Sequence, residues 1–162
     1  IINEFIIINK YFTINCFYIL YLLVKMNQKA LFLDRDGVIN VDKGYICKIK
    51  DVEFIEGIFA LIKKAKDKDY LVIIITNQSG VGRGFFSETN LSEVNNWILK
   101  KLKMKGAIVD DLFYCTSPPL SEKNKSSKED YRRKPNPGMI LEAANKYKIN
   151  LHDSIMVGDK VS

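Results

Sequence analysis

Leu31-Phe32-Leu33-Asp34-Arg35-Asp36-Gly37-Val38-Ile39-Asn40 runs from an apolar segment into two carboxylates spaced i, i+2, and then a glycine. A short apolar run of this kind reads as a buried strand, so its acids emerge at the strand's carboxyl end. In an open α/β sheet, that edge is where ligands bind. Strand side chains alternate between faces, which pairs Asp34 with Asp36 and sends Arg35 the other way. Carboxylates so close repel unless a cation or a shared proton separates them. A divalent metal with oxygen ligands resolves the conflict. The segment reads as part of an enzyme site.

Working outward, three more segments end in chemistry. Val72-Ile73-Ile74-Ile75-Thr76-Asn77-Gln78 is a second apolar strand that closes in a hydroxyl and two amides. Arg133-Lys134-Pro135-Asn136-Pro137-Gly138 sets two cations just before a helix start, and Ile155-Met156-Val157-Gly158-Asp159-Lys160 is a strand ending in a carboxylate. Between them the periodicity predicts strand 30–35, helix 57–67, strand 71–76, helix 88–104, strand 111–115, a long loop, helix 137–147 and strand 154–157. Ile58, Leu61, Ile62 and Ala65 recur at helical spacing, as do Leu91, Val94, Ile98 and Leu102, and both stripes read as core packing. Ser87 is placed to cap its helix, and Pro137 suits a first helical turn. Strands alternating with helices predict a Rossmann-like, mostly parallel α/β sheet with helices on both faces. Gly80, Gly82 and Gly84 read as a flexible turn, since the spacing is not that of a nucleotide fingerprint.

Composition narrows the class. The 162 residues fit one domain, with 47% hydrophobic and 27% charged residues, as in an ordinary folded protein. A net charge of +6, from 25 basic and 19 acidic residues, suits an anionic substrate and equally a nucleic acid. Lys63-Lys64, Lys100-Lys101 and the Lys123 to Lys128 stretch read as solvated faces. No aromatic platform is interleaved with them, so no nucleic-acid partner is expected. Cys16, Cys47 and Cys115 lie far apart, which argues against a disulfide framework and fits a reducing cytoplasm.

Residues 1–25 differ from the rest: rich in Ile, Phe, Tyr and Asn, they begin with Ile. The uncharged stretch from Tyr11 to Val24 falls short of the roughly 20 apolar residues of a spanning helix. Three readings stand: an upstream region ahead of a start at Met26, a membrane-associating leader, or an added strand. The first is favoured, and membrane contact is expected only if the leader is real. Residues 26–162 are the expected domain.

Taken singly, each motif is ordinary: an Asp-x-Asp-Gly is often a turn, and a lone lysine usually lies on the surface. In order, they resemble the four motifs of the haloacid dehalogenase-like phosphohydrolases. The wording Asp-Arg-Asp-Gly-Val-Ile-Asn, Thr-Asn-Gln-Ser-Gly-Val-Gly-Arg-Gly, Arg-Lys-Pro-Asn-Pro-Gly-Met and Met-Val-Gly-Asp-Lys is similar to that of the D,D-heptose 1,7-bisphosphate phosphatases and the related histidinol-phosphate phosphatases. The likeness runs from about Met26 to Ser162. It implies a Mg²⁺-dependent phosphatase without a large cap domain, acting on a small phosphorylated sugar. The best candidate is D-glycero-D-manno-heptose 1,7-bisphosphate, on a route to surface polysaccharide.

Position by position, the resemblance makes Asp34 the nucleophile, Asp36 the general acid and base, Thr76 a phosphate donor and Lys134 the fixed positive charge. Mg²⁺ is expected on Asp34, Asp159 and the backbone carbonyl of Asp36. Substrate contacts are expected from Asp42, Lys43, Gly44, Tyr45, Asn77, Gln78, Ser79, Arg133 and Lys160. Alternatives are a histidinol-phosphate phosphatase, an inactive fragment, a membrane-attached phosphate-binding module and, more distantly, a nucleic-acid 3′-phosphatase.

Two departures stand out. The resembled fold continues with a helix and a strand after the last motif, so the chain is expected to be truncated at its carboxyl end. Many relatives hold a structural zinc in the long loop through three cysteines and a histidine. Here only Cys115 remains, with Ser117, Asp130 and Arg132 at the other places, and one thiolate makes no zinc site. Zinc is not expected. His152, the only histidine, reads as a surface residue, and a monomer is expected.

Overall fold

The computed structural model describes residues 28–119 and 130–159. Four apolar segments become strands: β1 (Lys29–Leu33), β2 (Tyr70–Asn77), β3 (Asp111–Cys115) and β4 (Ile155–Val157). They form one sheet in the order β3-β2-β1-β4, and every neighbouring pair is parallel. The register places Leu33 beside Ile74 on one side and Val157 on the other. The carboxyl ends of β1, β2 and β4 therefore open toward the same edge.

Helices cover both faces. The long helices are α1 (Ile58–Lys66), α3 (Glu88–Met104) and α4 (Gly138–Tyr147), with a one-turn α2 (Ser79–Gly82) between β2 and α3. Leu31, Leu33, Val72 and Ile74 face one core with Ile58 and Ile62 of α1 and Val94, Ile98 and Leu102 of α3. Ala30, Phe32, Ile73 and Ile75 face a second core with Met139 and Ala143 of α4. Strand alternation thus splits β1 and β2 between two layers, which is why both read as unbroken apolar runs. The chain steps outward from β1 to β2 to β3 over one face and returns to β4 over the other. A right-handed crossover rule demands that switch of face.

Ser87 starts α3 with a reciprocal cap: its Oγ accepts from Asn90 N (3.1 Å), and Asn90 Oδ1 accepts from Ser87 N (3.2 Å). Two such bonds satisfy donors that a helix start leaves open. The segment between β1 and α1 folds back on itself, with Val41 N donating to Glu53 O (2.8 Å) and Ile55 N to Ile39 O (3.0 Å). It hangs as a short flap over the carboxyl end of β1.

The expected element order holds throughout, with three local corrections. β1 stops at Leu33, so Asp34 to Asp36 lie past the strand in a turn, and face alternation does not govern them. Pro137 is the N-cap of α4 rather than a residue of its first turn. Gly80 and Gly82 are no loose turn: they lie in α2, where a Cβ on Gly80 would stand 2.2 Å from the Phe86 ring and one on Gly82 2.2 Å from the Thr116 carbonyl oxygen. Close approach, not flexibility, requires glycine there.

No helix among the described residues is long and apolar enough to cross a membrane. The expected leader (1–25) and Lys160 lie outside the described residues.

Candidate active site

A cavity of about 470 Å³ opens at the carboxyl edge of the sheet. Asp34, Asp36, Thr76, Lys134 and Asp159 all line it, together with Asp42, Gly44, Tyr45, Asn77, Gln78, Ser79 and Arg133. The sheet order explains the meeting: β1 stands between β2 and β4, so three strand ends deliver side chains from distant parts of the sequence.

Asp34 follows β1 directly, and its N–H donates to Val157 O (3.0 Å), which ties the turn to β4. Its Oδ1 accepts from Arg35 N (2.8 Å), and its Oδ2 is ion-paired with Lys134 Nζ. Burial pushes the Asp34 carboxyl above the ordinary carboxylate range; the Lys134 charge and hydrogen bond and the Arg35 N–H pull it down, while Asp36 adds a smaller upward push. Lys134 Nζ also donates to Ile75 O (3.2 Å). The Lys134–Pro135 peptide is cis.

Thr76 is buried near the end of β2, and its Oγ accepts from Gln78 Nε2 (2.9 Å), which leaves its own proton to donate. The same Gln78 nitrogen donates to Asp36 Oδ2 (2.8 Å). Asn77 spends both amide atoms on Lys134: Nδ2 donates to the Lys134 carbonyl and Oδ1 accepts from the Lys134 N–H, each at 3.0 Å. Asn77 and Gln78, expected as substrate contacts, thus hold other site residues in place while lining the cavity.

Asp36 receives donors from several sides. Asn40 Nδ2 donates to Oδ1 (2.9 Å), and the Arg35 guanidinium forks onto both oxygens. Arg35 is wholly buried. Instead of pointing away, it curls back to grip its neighbour, because the turn after Leu33 frees it from strand alternation. Sequence reasoning missed Arg35, Asn40 and Asn95, which accepts from Arg35 Nη1 (3.0 Å). An arginine amid Leu33, Val38 and Ile39 was a usable signal, since an arginine is almost never fully buried without a partner.

Lys43 is not among the lining residues; its Nζ pairs with Glu53 at 2.7 Å. Arg133 lines the cavity while its Nη1 donates to the Ser117 carbonyl (2.7 Å). Across the long loop's ends, Ser117 Oγ donates to Asp130 Oδ2, and Arg132 pairs with Glu142 at 2.9 Å. His152 is exposed, as expected.

The donors fit a hard cation. Among the described residues no three His, Cys, Asp or Glu side chains gather as a ligand cluster, but Asp34 and Asp159 share the cavity. Asp159 packs against Gly37 so closely that a Cβ there would lie 2.6 Å from its carboxyl oxygen. This brings Asp159 beside the turn that follows Asp36. Two carboxylates and a backbone carbonyl are an all-oxygen set, the kind that suits Mg²⁺.

Known proteins resemble the chain in both sequence and fold. Residues 31–162 match the family described as Polynucleotide kinase 3 phosphatase. The chain is 43% identical over 137 residues to D-glycero-alpha-D-manno-heptose-1,7-bisphosphate 7-phosphatase of Burkholderia mallei, covering 85% of this chain and 72% of that protein. It is 43% identical to D-glycero-beta-D-manno-heptose-1,7-bisphosphate 7-phosphatase of Helicobacter pylori, covering 83% of this chain and 75% of the relative. A D,D-heptose 1,7-bisphosphate phosphatase from B. bronchiseptica, solved with magnesium and phosphate, superposes with a TM-score of 0.70 at 31% identity, over 81% of this chain and 70% of that one. A had-like phosphatase structure from Mesorhizobium loti gives a TM-score of 0.76 at 35% identity, over 83% of this chain but only 64% of that one. With the four motifs meeting at one sheet edge and relatives matched over most of their length, the chain belongs to the haloacid dehalogenase-like phosphatases, in the family of the D,D-heptose 1,7-bisphosphate phosphatases.

Proposed function

We propose that this chain removes the 7-phosphate of D-glycero-D-manno-heptose 1,7-bisphosphate, leaving heptose 1-phosphate, through an aspartyl-phosphate on Asp34. The observation that carries the reading is the convergence of Asp34, Asp36, Thr76, Lys134 and Asp159 in one cavity. The names of the relatives supply the substrate.

Asp34 attacks phosphorus; the bond from phosphorus to the sugar oxygen breaks, and that oxygen takes a proton from Asp36. Water then attacks the aspartyl-phosphate, gives its proton to Asp36, and frees Asp34 with inorganic phosphate. Thr76 donates its hydroxyl to a phosphoryl oxygen, and Lys134 supplies fixed positive charge. A Mg²⁺ held by Asp34, Asp159 and the Asp36 carbonyl would offset the repulsion between carboxylate and phosphate. Asp42, Gly44, Tyr45, Ser79 and Arg133 shape the sugar's surroundings, and a guanidinium suits the second phosphate. Lys43 and Lys160 remain proposed contacts of the same substrate.

Phosphate release by the full chain with Mg²⁺, against both heptose 1,7-bisphosphate anomers and histidinol phosphate, tests this. Preferential turnover of a heptose bisphosphate is expected, and Asp34→Asn should abolish it. A folded chain that prefers histidinol phosphate, or releases nothing, would overturn the reading. Calorimetric titration should show Mg²⁺ binding that Asp159→Asn weakens. A 3′-phosphorylated oligonucleotide belongs in the same assay, because the matched family description favours it as a second reading.

The expectation of no zinc stands as a proposal, supported by the mutual hydrogen bond of Ser117 and Asp130. So do a monomeric state and a cytoplasmic location; for the latter, Cys47 and Cys115 are both free thiols.

A further inference from the structure

Arg35 and Asn95 form a buried pair that the reaction scheme does not use. The Arg35 guanidinium meets Asp36 with Nη2 at 2.9 Å from Oδ2 and 3.1 Å from Oδ1, and with Nε at 3.2 Å from Oδ1. Its remaining nitrogen, Nη1, donates to Asn95 Oδ1 at 3.0 Å. Asn95 is itself 5% exposed and sits on α3 beside Val94, in the face that packs on the sheet. No residue of α3 lines the cavity, and this contact ties the helix, through Arg35, to one that does, Asp36.

Stability alone is a weak reason for such an arrangement. Taking a guanidinium and a carboxylate out of water costs several kcal/mol per ion, and apolar replacements of buried pairs are often neutral or better. What the fork does supply is direction. Two parallel N–H bonds fix the plane of a carboxylate, where a single lysine would not. Asn95 in turn fixes the plane of the guanidinium, and Asn40 and Gln78 add one donor each, to Oδ1 and to Oδ2.

We infer that Asn95 and Arg35 are positioning residues that aim the Asp36 carboxyl at the leaving oxygen of a phosphate ester. The inference rests on the proposed role of Asp36. As the bond between Asp34 and phosphorus forms and the ester P–O bond breaks, the leaving oxygen takes the Asp36 proton. A sugar alkoxide needs that proton; p-nitrophenolate, a stable anion, leaves without it. Misaiming Asp36 should therefore harm one ester and spare the other.

The test compares kcat/KM for heptose 1,7-bisphosphate and p-nitrophenyl phosphate in the full chain. General acid catalysis supplies a large share of the rate, so Asn95→Ala and Arg35→Lys should lower the sugar value about 10- to 100-fold and the aryl value no more than about threefold. Asn95→Asp keeps an acceptor for Nη1 and should stay near wild type. Equal losses on both esters would overturn the inference and indicate a structural role. A crystal structure of Asn95→Ala provides a readout independent of turnover: Asp36 should leave its present contacts, and an unmoved carboxyl would overturn the relay. Failure of the wild type to release phosphate from the sugar would instead fall on the proposed function, with the relay then judged by that structure.

Discussion

Asn77 holds the backbone of Lys134 by both ends of its amide, at 3.0 Å each way. The residue after Thr76 thus sets the position of the cation across the cavity. Removing it leaves an N–H and a carbonyl without their partner, at a cost of about 1–3 kcal/mol. Asn77→Ala should lower the urea midpoint accordingly without changing the slope; an unmoved midpoint would show that the contact carries no weight.

Asp34 gives a pH signature. Burial raises its folded pKa above the unfolded value, so its favourable contribution is complete below the unfolded pKa and is lost as pH rises through the folded one. At neutral pH the ionised group therefore weighs against the fold. In metal-free buffer, Asp34→Asn should be more stable than wild type at neutral pH, with the gain vanishing in acid. Denaturation across a pH series checks the sign; equal stability at neutral pH would contradict it.

Substitution at α2 should be graded by what the new methyl meets. At Gly82 it meets a backbone carbonyl oxygen, which is hard to move; at Gly80 it meets the Phe86 and Tyr45 rings, which can turn aside. Overpacking costs about 1–3 kcal/mol, and Gly82→Ala should sit at the upper end with Gly80→Ala below it. Thermal melts of the two variants settle the ranking.

At the start of α3, Ser87→Ala removes the cap bond to Asn90 and should cost about 1 kcal/mol, whereas Ser87→Gly should cost only a few tenths. Similar midpoints for the two variants would mean that the serine oxygen is idle.

Much of this was legible because it follows from periodicity. The apolar runs of β1 and β2 and the stripes of α1 and α3 announced the elements, and the resemblance carried by the ordered motifs implied which ends would meet. What the sequence hid lies where the chain leaves regular structure. Past Leu33 the turn frees Arg35 from strand alternation, so its grip on Asp36 depended on a contact with α3 far along the chain. Gly80 and Gly82 misled for a related reason: a glycine needed for close packing looks the same in sequence as one needed for bending. Lys43, expected at the substrate through the resemblance of its loop, pairs with Glu53 across the flap, a contact the sequence does not announce.

The sheet order has a consequence for the protein's synthesis. Asp34 leaves the ribosome well before Asp159, and β4 must pair with β1 before the two share a cavity. Domains emerge amino end first. A nascent chain with β1, β2 and β3 already paired would carry Asp34 and Thr76 without Asp159 beside them. In the proposed reaction the acid set is complete only once β4 has paired with β1, so a chain cut short of β4 would carry Asp34 without its partner carboxylate.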